Sequence, residues 1–325
     1  MAEQGLGLYV LRRALQAIPL LLGVVVINFT IIQLAPGDPI YALVGDFPAP
    51  EEYIRQVRQE FGLDRSIPER LLAYLANLAK GNLGFSFANR KPVLQIVGER
   101  IPATALLTLT GLGFAALAGV ILGILSARRP YSWLDNVTST GSLLSFSVPV
   151  FWLSQILIIV FALWLGWLPA QGMVSLRADP SGFGYYANVG AHLLLPAFAL
   201  SARFLAINSR LARASMLEVL GRDFIRTARA KGVSELTILT RHALPNALLP
   251  IVTIIGYNFG FVLAGSALVE TVFAWPGIGR LLYDSIFARD YPVLMGIFLV
   301  VAISVIIANL ITDILYAYLD PRIRY

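Results

Sequence analysis

The chain has 325 residues, of which 57% are hydrophobic and only 14% charged, with a formal net charge of +6 at pH 7. A soluble domain carries roughly 25% charged residues, so this composition excludes an ordinary soluble protein and indicates a membrane protein. In that setting the positive balance is read first as Lys and Arg collected on cytoplasmic loops, ahead of a nucleic-acid surface. The absence of cysteine excludes a disulfide frame or a thiolate nucleophile, and two histidines argue against a metal site.

Arg12-Arg13 precede an almost uncharged apolar run, Ala14 to Ala35. It exceeds the roughly 7–15-residue core of a signal peptide and reaches the length of one crossing, about 20 residues. Residues 1–35 therefore read as a first span with its amino end inside. Pro36-Gly37-Asp38-Pro39 breaks it. Residues 36–103 are soluble in character and read as an external loop subdomain. Glu51–Phe61 and Pro68–Lys80 are expected as amphipathic helices there, the second with Leu71, Leu72, Leu75 and Leu78 on one side. Gly81–Gly84 is expected as a turn and Pro92–Arg100 as a short helix.

Residues 104–325 read as a core of five further spans. Thr104–Ala127 is closed by Arg128-Arg129-Pro130, and Val137–Leu168 exceeds one straight crossing, with a kink expected at Pro149. Trp164, Trp167, Tyr185 and Tyr186 suit an outer aromatic belt. His192–Ala212 returns inward, Ala247–Phe273 goes out, Ala274–Tyr291 is a short outer connection, and Val293–Tyr318 returns inward to Asp320–Arg324. Six spans with both ends inside agree with the charges. The short inner segments hold Arg12, Arg13, Arg128, Arg129, the cluster from Arg210 to Arg241, Arg322 and Arg324, whereas the short outer loops hold Arg177, Arg280 and Arg289. Gly119-xxx-Gly123 and Gly256-xxx-Gly260 read as positions where helices approach closely.

The segment between the fourth and fifth of these spans is polar and basic. Leu217, Leu220, Phe224 and Ala228 recur at three- and four-residue spacing, as on one side of a short helix. Gly232 is expected to stop that helix and Ser234-Glu235 to cap a second one ending near Pro245. The sequence has no GxxxxGK[ST] phosphate loop, HExxH or GxSxG. The spans show no acid or histidine relay of the kind gradient-driven carriers use, so an energising partner docked inside is favoured. Arg203 near mid-span costs roughly 2.5–3.5 kcal/mol to insert. It either faces a path, partner or substrate, where it could hold a carboxylate, or snorkels inward. Gln155, Asn208, Asn258 and Asn309 could line a path or glue helices, and Asp313 is expected to pair with a terminal arginine.

Arg226-Thr227-Ala228-x3-Gly232-x9-His242-x-Leu244-Pro245 resembles the EAA-x3-G-x9-I-x-LP signature of ABC importer permeases, with Arg226, Thr227 and His242 departing from it. Three further stretches are similar to the dipeptide/oligopeptide/nickel branch. They are Arg13-x5-Pro19 leading to Leu34–Pro39, Trp275–Arg280 with Arg289–Pro292, and Leu319–Arg324. With the long first outer loop, they resemble its B-type permease over essentially the whole chain.

The resemblance implies an all-α membrane protein of type I importer fold, six transmembrane helices and cytoplasmic termini, with a coupling helix around 218–232. It implies an ATPase-coupling set of Asp223, Phe224, Ile225, Arg226, Thr227, Ala228, Ala230, Lys231 and Gly232, with Phe224 and Ala228 suited to a groove. Arg203, Gln155 and Asn258 are candidates for the translocation path, and no catalytic or metal site is expected on this chain. The implied partners are a C-type permease, two ATPases carrying ATP and Mg, and an external binding protein; nucleic acid is not among them. Peptide is the expected cargo, with nickel chelates, glutathione, opines and oligosaccharides as alternatives. A gradient-driven carrier or a membrane-embedded enzyme is the more distant reading.

Overall fold

A computed structural model of the chain describes residues 2–34, 50–52, 55, 59, 64–86, 88–175 and 182–319. The expected break at Pro36–Pro39, most of the expected helix Glu51–Phe61 and the tail Asp320–Arg324 lie outside these residues. The chain divides into two compact units, Met1–Ala103 with Gly277–Ile306 and Thr104–Pro276 with Ile307–Tyr325. Residues 277–306, which the sequence reading assigned to the core of 104–325, thus group with the first hundred.

In the first unit, α1 spans Ala2–Leu34 and α2 spans Ile67–Ala79. Helix α2 opens with a capping box: Ser66 N–H donates to Glu69 Oε2 (2.9 Å), and Pro68 occupies the first turn. Hydrogen bonding to Ser66 holds the Glu69 carboxyl below the usual carboxylate range. Gly81 and Gly84 turn the chain into a hairpin of two-residue strands, β1 (Phe85–Ser86) against β2 (Lys91–Pro92), antiparallel with Phe85 opposite Pro92. The expected short helix Pro92–Arg100 is instead the start of α3, which runs from Val93 through Pro102 to Arg128. Similarly, the expected connection Ala274–Tyr291 contains a helix, α10 (Ile278–Phe287), before α11 (Tyr291–Leu319). Val25, Val93, Val97, Ile278, Val293 and Ile297 form the core of this unit. Buried Asp290 accepts a hydrogen bond of 2.5 Å from Ser86 Oγ, pinning the hairpin to the α10–α11 turn.

The second unit continues α3 from Thr104. Its next helix, α4 (Trp133–Ser147), is capped by Ser132 and breaks at Val148-Pro149. Pro149 offers no N–H and fixes its own φ, so the chain restarts as α5 (Val150–Leu157), bent by 106° and prolonged by a π-helical stretch to Trp164. Helix α6 runs from Gly182 to Leu220, 39 residues, beginning well before the expected His192. It is followed by α7 (Asp223–Ala230), a π-helical stretch Ile238–Ala243, α8 (Leu244–Gly265) and α9 (Ala267–Val272).

Close packing in this unit depends on missing side chains. A Cβ at Gly119 would meet Asn208 Cβ and Leu205 O at 2.9 Å, and one at Gly123 would meet Ala212 Cβ and Ser209 O at 2.6 Å. The pair therefore seats α3 directly on the α6 backbone. Among the described residues five helices are long and apolar enough to cross a membrane, and six if the bent pair α4–α5 is one span.

Candidate functional site

Two places in the second unit carry chemistry. The first is the segment between α6 and α8. Helix α6 ends at Leu220, and Arg222 is extended (φ −74°, ψ 152°), so α7 starts afresh at Asp223. The stripe Leu217, Leu220, Phe224, Ala228 therefore crosses a break and does not share one helix face. The inward side of α7 is instead Ile225 and Ala228, packed with Met216, Ile238, Leu239 and Ala243. Asp223, Phe224, Arg226, Thr227, Ala230, Lys231 and Gly232 are exposed. This corrects the expectation for Ala228: it belongs to the chain's own core, and Phe224, 45% exposed, is the apolar group on the free face.

Gly232 ends α7 as expected, and its geometry explains why glycine stands there. Its φ is +76°, its N–H donates to Arg229 O (2.9 Å), and Val233 N–H donates to Ala228 O (3.2 Å). This is a Schellman closure, in which the left-handed residue costs glycine no Cβ clash. Val233 packs back on the same core as Ala228. Ser234 Oγ then accepts from Thr237 N–H (3.4 Å) to open the next turn, and the helix widens to π geometry through Arg241 and His242.

The three acids of this segment are each matched by an arginine. Arg222 meets Glu218 (2.5 Å), Arg226 meets Asp223 (3.4 Å) and Arg229 meets Glu235 (2.8 Å). All three pairs are substantially exposed and worth about 0–1 kcal/mol each. Among the described residues Lys231 and Arg241 have no acid partner.

The second place lies along α6. Asp135, 2% exposed at the start of α4, takes a two-point contact from Arg213: Nε to Oδ1 at 2.6 Å and Nη2 to Oδ2 at 2.7 Å. Tyr131 N–H adds a third hydrogen bond to the same carboxylate (2.8 Å). Arg203 and Arg210 have no such partner among the described residues. Their guanidinium carbons lie 5.2 and 5.3 Å from the centroid of one ring, Phe146 in the last turn of α4. Seven residues apart, they are two helical turns apart on one face of α6, and both are exposed on the chain. A cation over a ring gains about 0.5–2 kcal/mol, less than the roughly 2.5–3.5 kcal/mol that an arginine costs at membrane depth.

Gln155 is exposed on α5. Asn258 is 5% exposed and donates to Asn208 Oδ1 at 3.4 Å, so it joins α8 to α6 as an interhelical hydrogen bond and does not face outward. Asp313 makes its own interaction, while Arg322 and Arg324, its expected partners, lie outside the described residues. Sequence reasoning missed two features here. Glu270 on α9, fully buried, accepts from Thr104 Oγ1 (2.9 Å) and Ser266 Oγ (3.0 Å). Phe146 joins two arginines that the sequence had assigned to separate roles. An acid inside the predicted fifth span could have marked Glu270; no local signal marks Phe146.

Residues 119–325 match the family described as binding-protein-dependent transport system inner membrane component, and residues 7–108 match its N-terminal counterpart. The oligopeptide transport system permease protein AppB of Bacillus subtilis is 41% identical, over 98% of this chain and 99% of that protein. The di/tripeptide permease DppB of Pseudomonas aeruginosa is 39% identical over 98% of each chain. The glutathione permease GsiC of Escherichia coli is 40% identical over 98% of this chain and 99% of that one. Among solved structures, an inward-facing MetNI methionine ABC transporter matches with a TM-score of 0.57 at 18% identity. That match covers 70% of this chain and 97% of the other. With six potential spans and this likeness, the fold is that of a type I importer permease. The chain is a multi-pass inner-membrane protein and belongs to the family of binding-protein-dependent transport system inner membrane components.

Proposed function

We propose that this chain is the B-type permease of an ABC importer that takes up di- and oligopeptides delivered by an external binding protein. A C-type permease completes the membrane part, and two ATPase subunits supply ATP and Mg. The observation that carries the reading is α7. This short helix is fixed from behind by Ile225 and Ala228 and closed by Gly232. Its exposed side includes Phe224, Thr227, Ala230 and Lys231, between two membrane helices. Such an element suits insertion into a groove of an ATPase, with the motion passed into α6 and α8. The exposed pairs at Arg222, Arg226 and Arg229 keep the segment soluble and contribute little to that docking.

Peptide as cargo is supported by the named functions of the relatives. Oligopeptide, di/tripeptide and glutathione permeases match with nearly equal identity. Because glutathione is itself a small peptide, it remains within the same reading. Arg203 and Gln155 are the proposed path residues; Asn258 is better explained by its bond to Asn208.

The test is purification and reconstitution. Tagged protein is expected to bring down a second permease and two ATPases, and proteoliposomes with the binding protein are expected to accumulate a labelled dipeptide only with ATP. A chain that purifies alone and transports on a proton gradient would overturn the reading.

A further inference from the structure

Arg203, Arg210 and Phe146 form a cluster that the coupling reading does not use. Two guanidiniums converge on one ring at 5.2 and 5.3 Å. A phenyl ring attracts a cation but offers no acceptor oxygen, so the planar N–H forks remain suited to a carboxylate or phosphate. Elsewhere on α6 Arg213 has an acid of its own in Asp135, whereas among the described residues these two have none. The ring lies three residues before Pro149, at the 106° break between α4 and α5. Broken helices of this kind gather around substrate sites in transporters, where an unwound backbone lines a path.

We propose that Arg203 and Arg210, steadied on Phe146, form an anion-binding station on the translocation path that takes the free carboxylate of the cargo. The proposal rests on the peptide-import reading and adds the chemical group recognised within the membrane. Depth favours cargo over a lipid headgroup. In the span His192–Ala212 read from the sequence, Arg203 stands about 14 Å from the inner end, near the middle of a hydrocarbon layer of about 30 Å. A free carboxylate is also the anionic group that di-, tri- and oligopeptides have in common.

The experiment uses the assembled importer in proteoliposomes with its binding protein. A peptide and its C-terminal amide are chosen from sequences that the binding protein retains in both forms. With that protein saturated by either form, wild type is expected to import the free acid about tenfold faster than the amide, the size of one charge-assisted contact. Arg203→Gln and Arg210→Gln are each expected to bring acid uptake down to within about twofold of the amide. Arg203→Lys, which keeps the charge and loses the fork, should fall between them and wild type, and serves if the glutamine variants do not assemble.

Equal rates for both forms in wild type overturn the proposal. So do arginine variants that slow acid and amide alike; the pair would then meet a partner subunit's acid or a lipid phosphate. If wild type imports neither form, the peptide-import reading itself fails. Import of both forms with unaffected arginine variants sinks only the station.

Discussion

Near the end of α4 where Asp135 lies, Arg213 of α6 closes on a carboxylate that is 2% exposed. At the other end of α4, Arg203 and Arg210 lean on a ring and meet no carboxylate among the described residues. Three arginines on one helix are thus treated in two ways. The matched one is satisfied within the chain and holds α4 to α6. The ring-backed pair offsets only part of the cost of its charge, and such uncompensated groups are retained where something outside the chain completes them. Sequence position alone would place Arg210 with Arg213, three residues away; the structure places its side chain with Arg203.

The sharpest way to break this contrast is Asp135→Ala, which leaves Arg213 without its buried counterion. We expect a loss of about 3 kcal/mol or more, read as a lower unfolding midpoint of the solubilised complex. Arg213→Met in the same background should return much of it, and a double variant no better than Asp135→Ala would refute the lock. Next comes Gly232, where backbone and not charge is at stake. Gly232→Ala forces a Cβ into the left-handed region at about 1–2 kcal/mol and loosens the end of α7. Gly232→Trp is expected to leave the complex assembled and ATP hydrolysis running while uptake falls; normal uptake would remove α7 from the coupling role.

Arg203→Leu should have the opposite sign to Asp135→Ala. Relief of roughly 2.5–3.5 kcal/mol of insertion cost exceeds the loss of one cation–ring contact, so thermal stability rises by about 1 kcal/mol. A fall as large as that of Asp135→Ala would show the two sites to be alike. Smallest of all, Arg222→Ala breaks an exposed pair and should shift stability by less than about 0.5 kcal/mol, a change within the error of a melting curve.

Length and apolar runs made the spans legible, because crossing a bilayer imposes a minimum helix length whatever the tertiary packing. Gly232 and Ser234 were legible for a local reason: a left-handed closure and an N-cap are each decided within about five residues. The facing of α7 was not. The break at Gly221-Arg222 resets the helical phase, so a periodicity carried from Leu217 to Ala228 put Ala228 on one face with Phe224, whereas Ala228 is buried and Phe224 exposed. One proline misled in the other direction. Pro102 lies inside α3, which runs through the boundary expected between Arg100 and Thr104, just as α6 runs through Pro196 within its expected span, because neighbouring helices support the backbone in a membrane fold. Asp135 with Arg213, 78 residues apart, and Phe146 with its two arginines are tertiary meetings with no local signature.

The lock between Asp135 and Arg213 has a mechanical consequence. Helix α6 is one rod from Gly182 to Leu220, and α4 is tied to it by a two-point contact with a short, rigid reach. When α7 is pushed, α6 cannot travel without α4, so Phe146 is carried along beneath its arginines. An anion held there would be moved with its cradle intact, and the distance between labels at the exposed Leu143 and Ala214 should stay constant through the ATP cycle. Release must then come from what rearranges around this pair, with the hinge at Val148-Pro149 as the nearest point where the chain can yield.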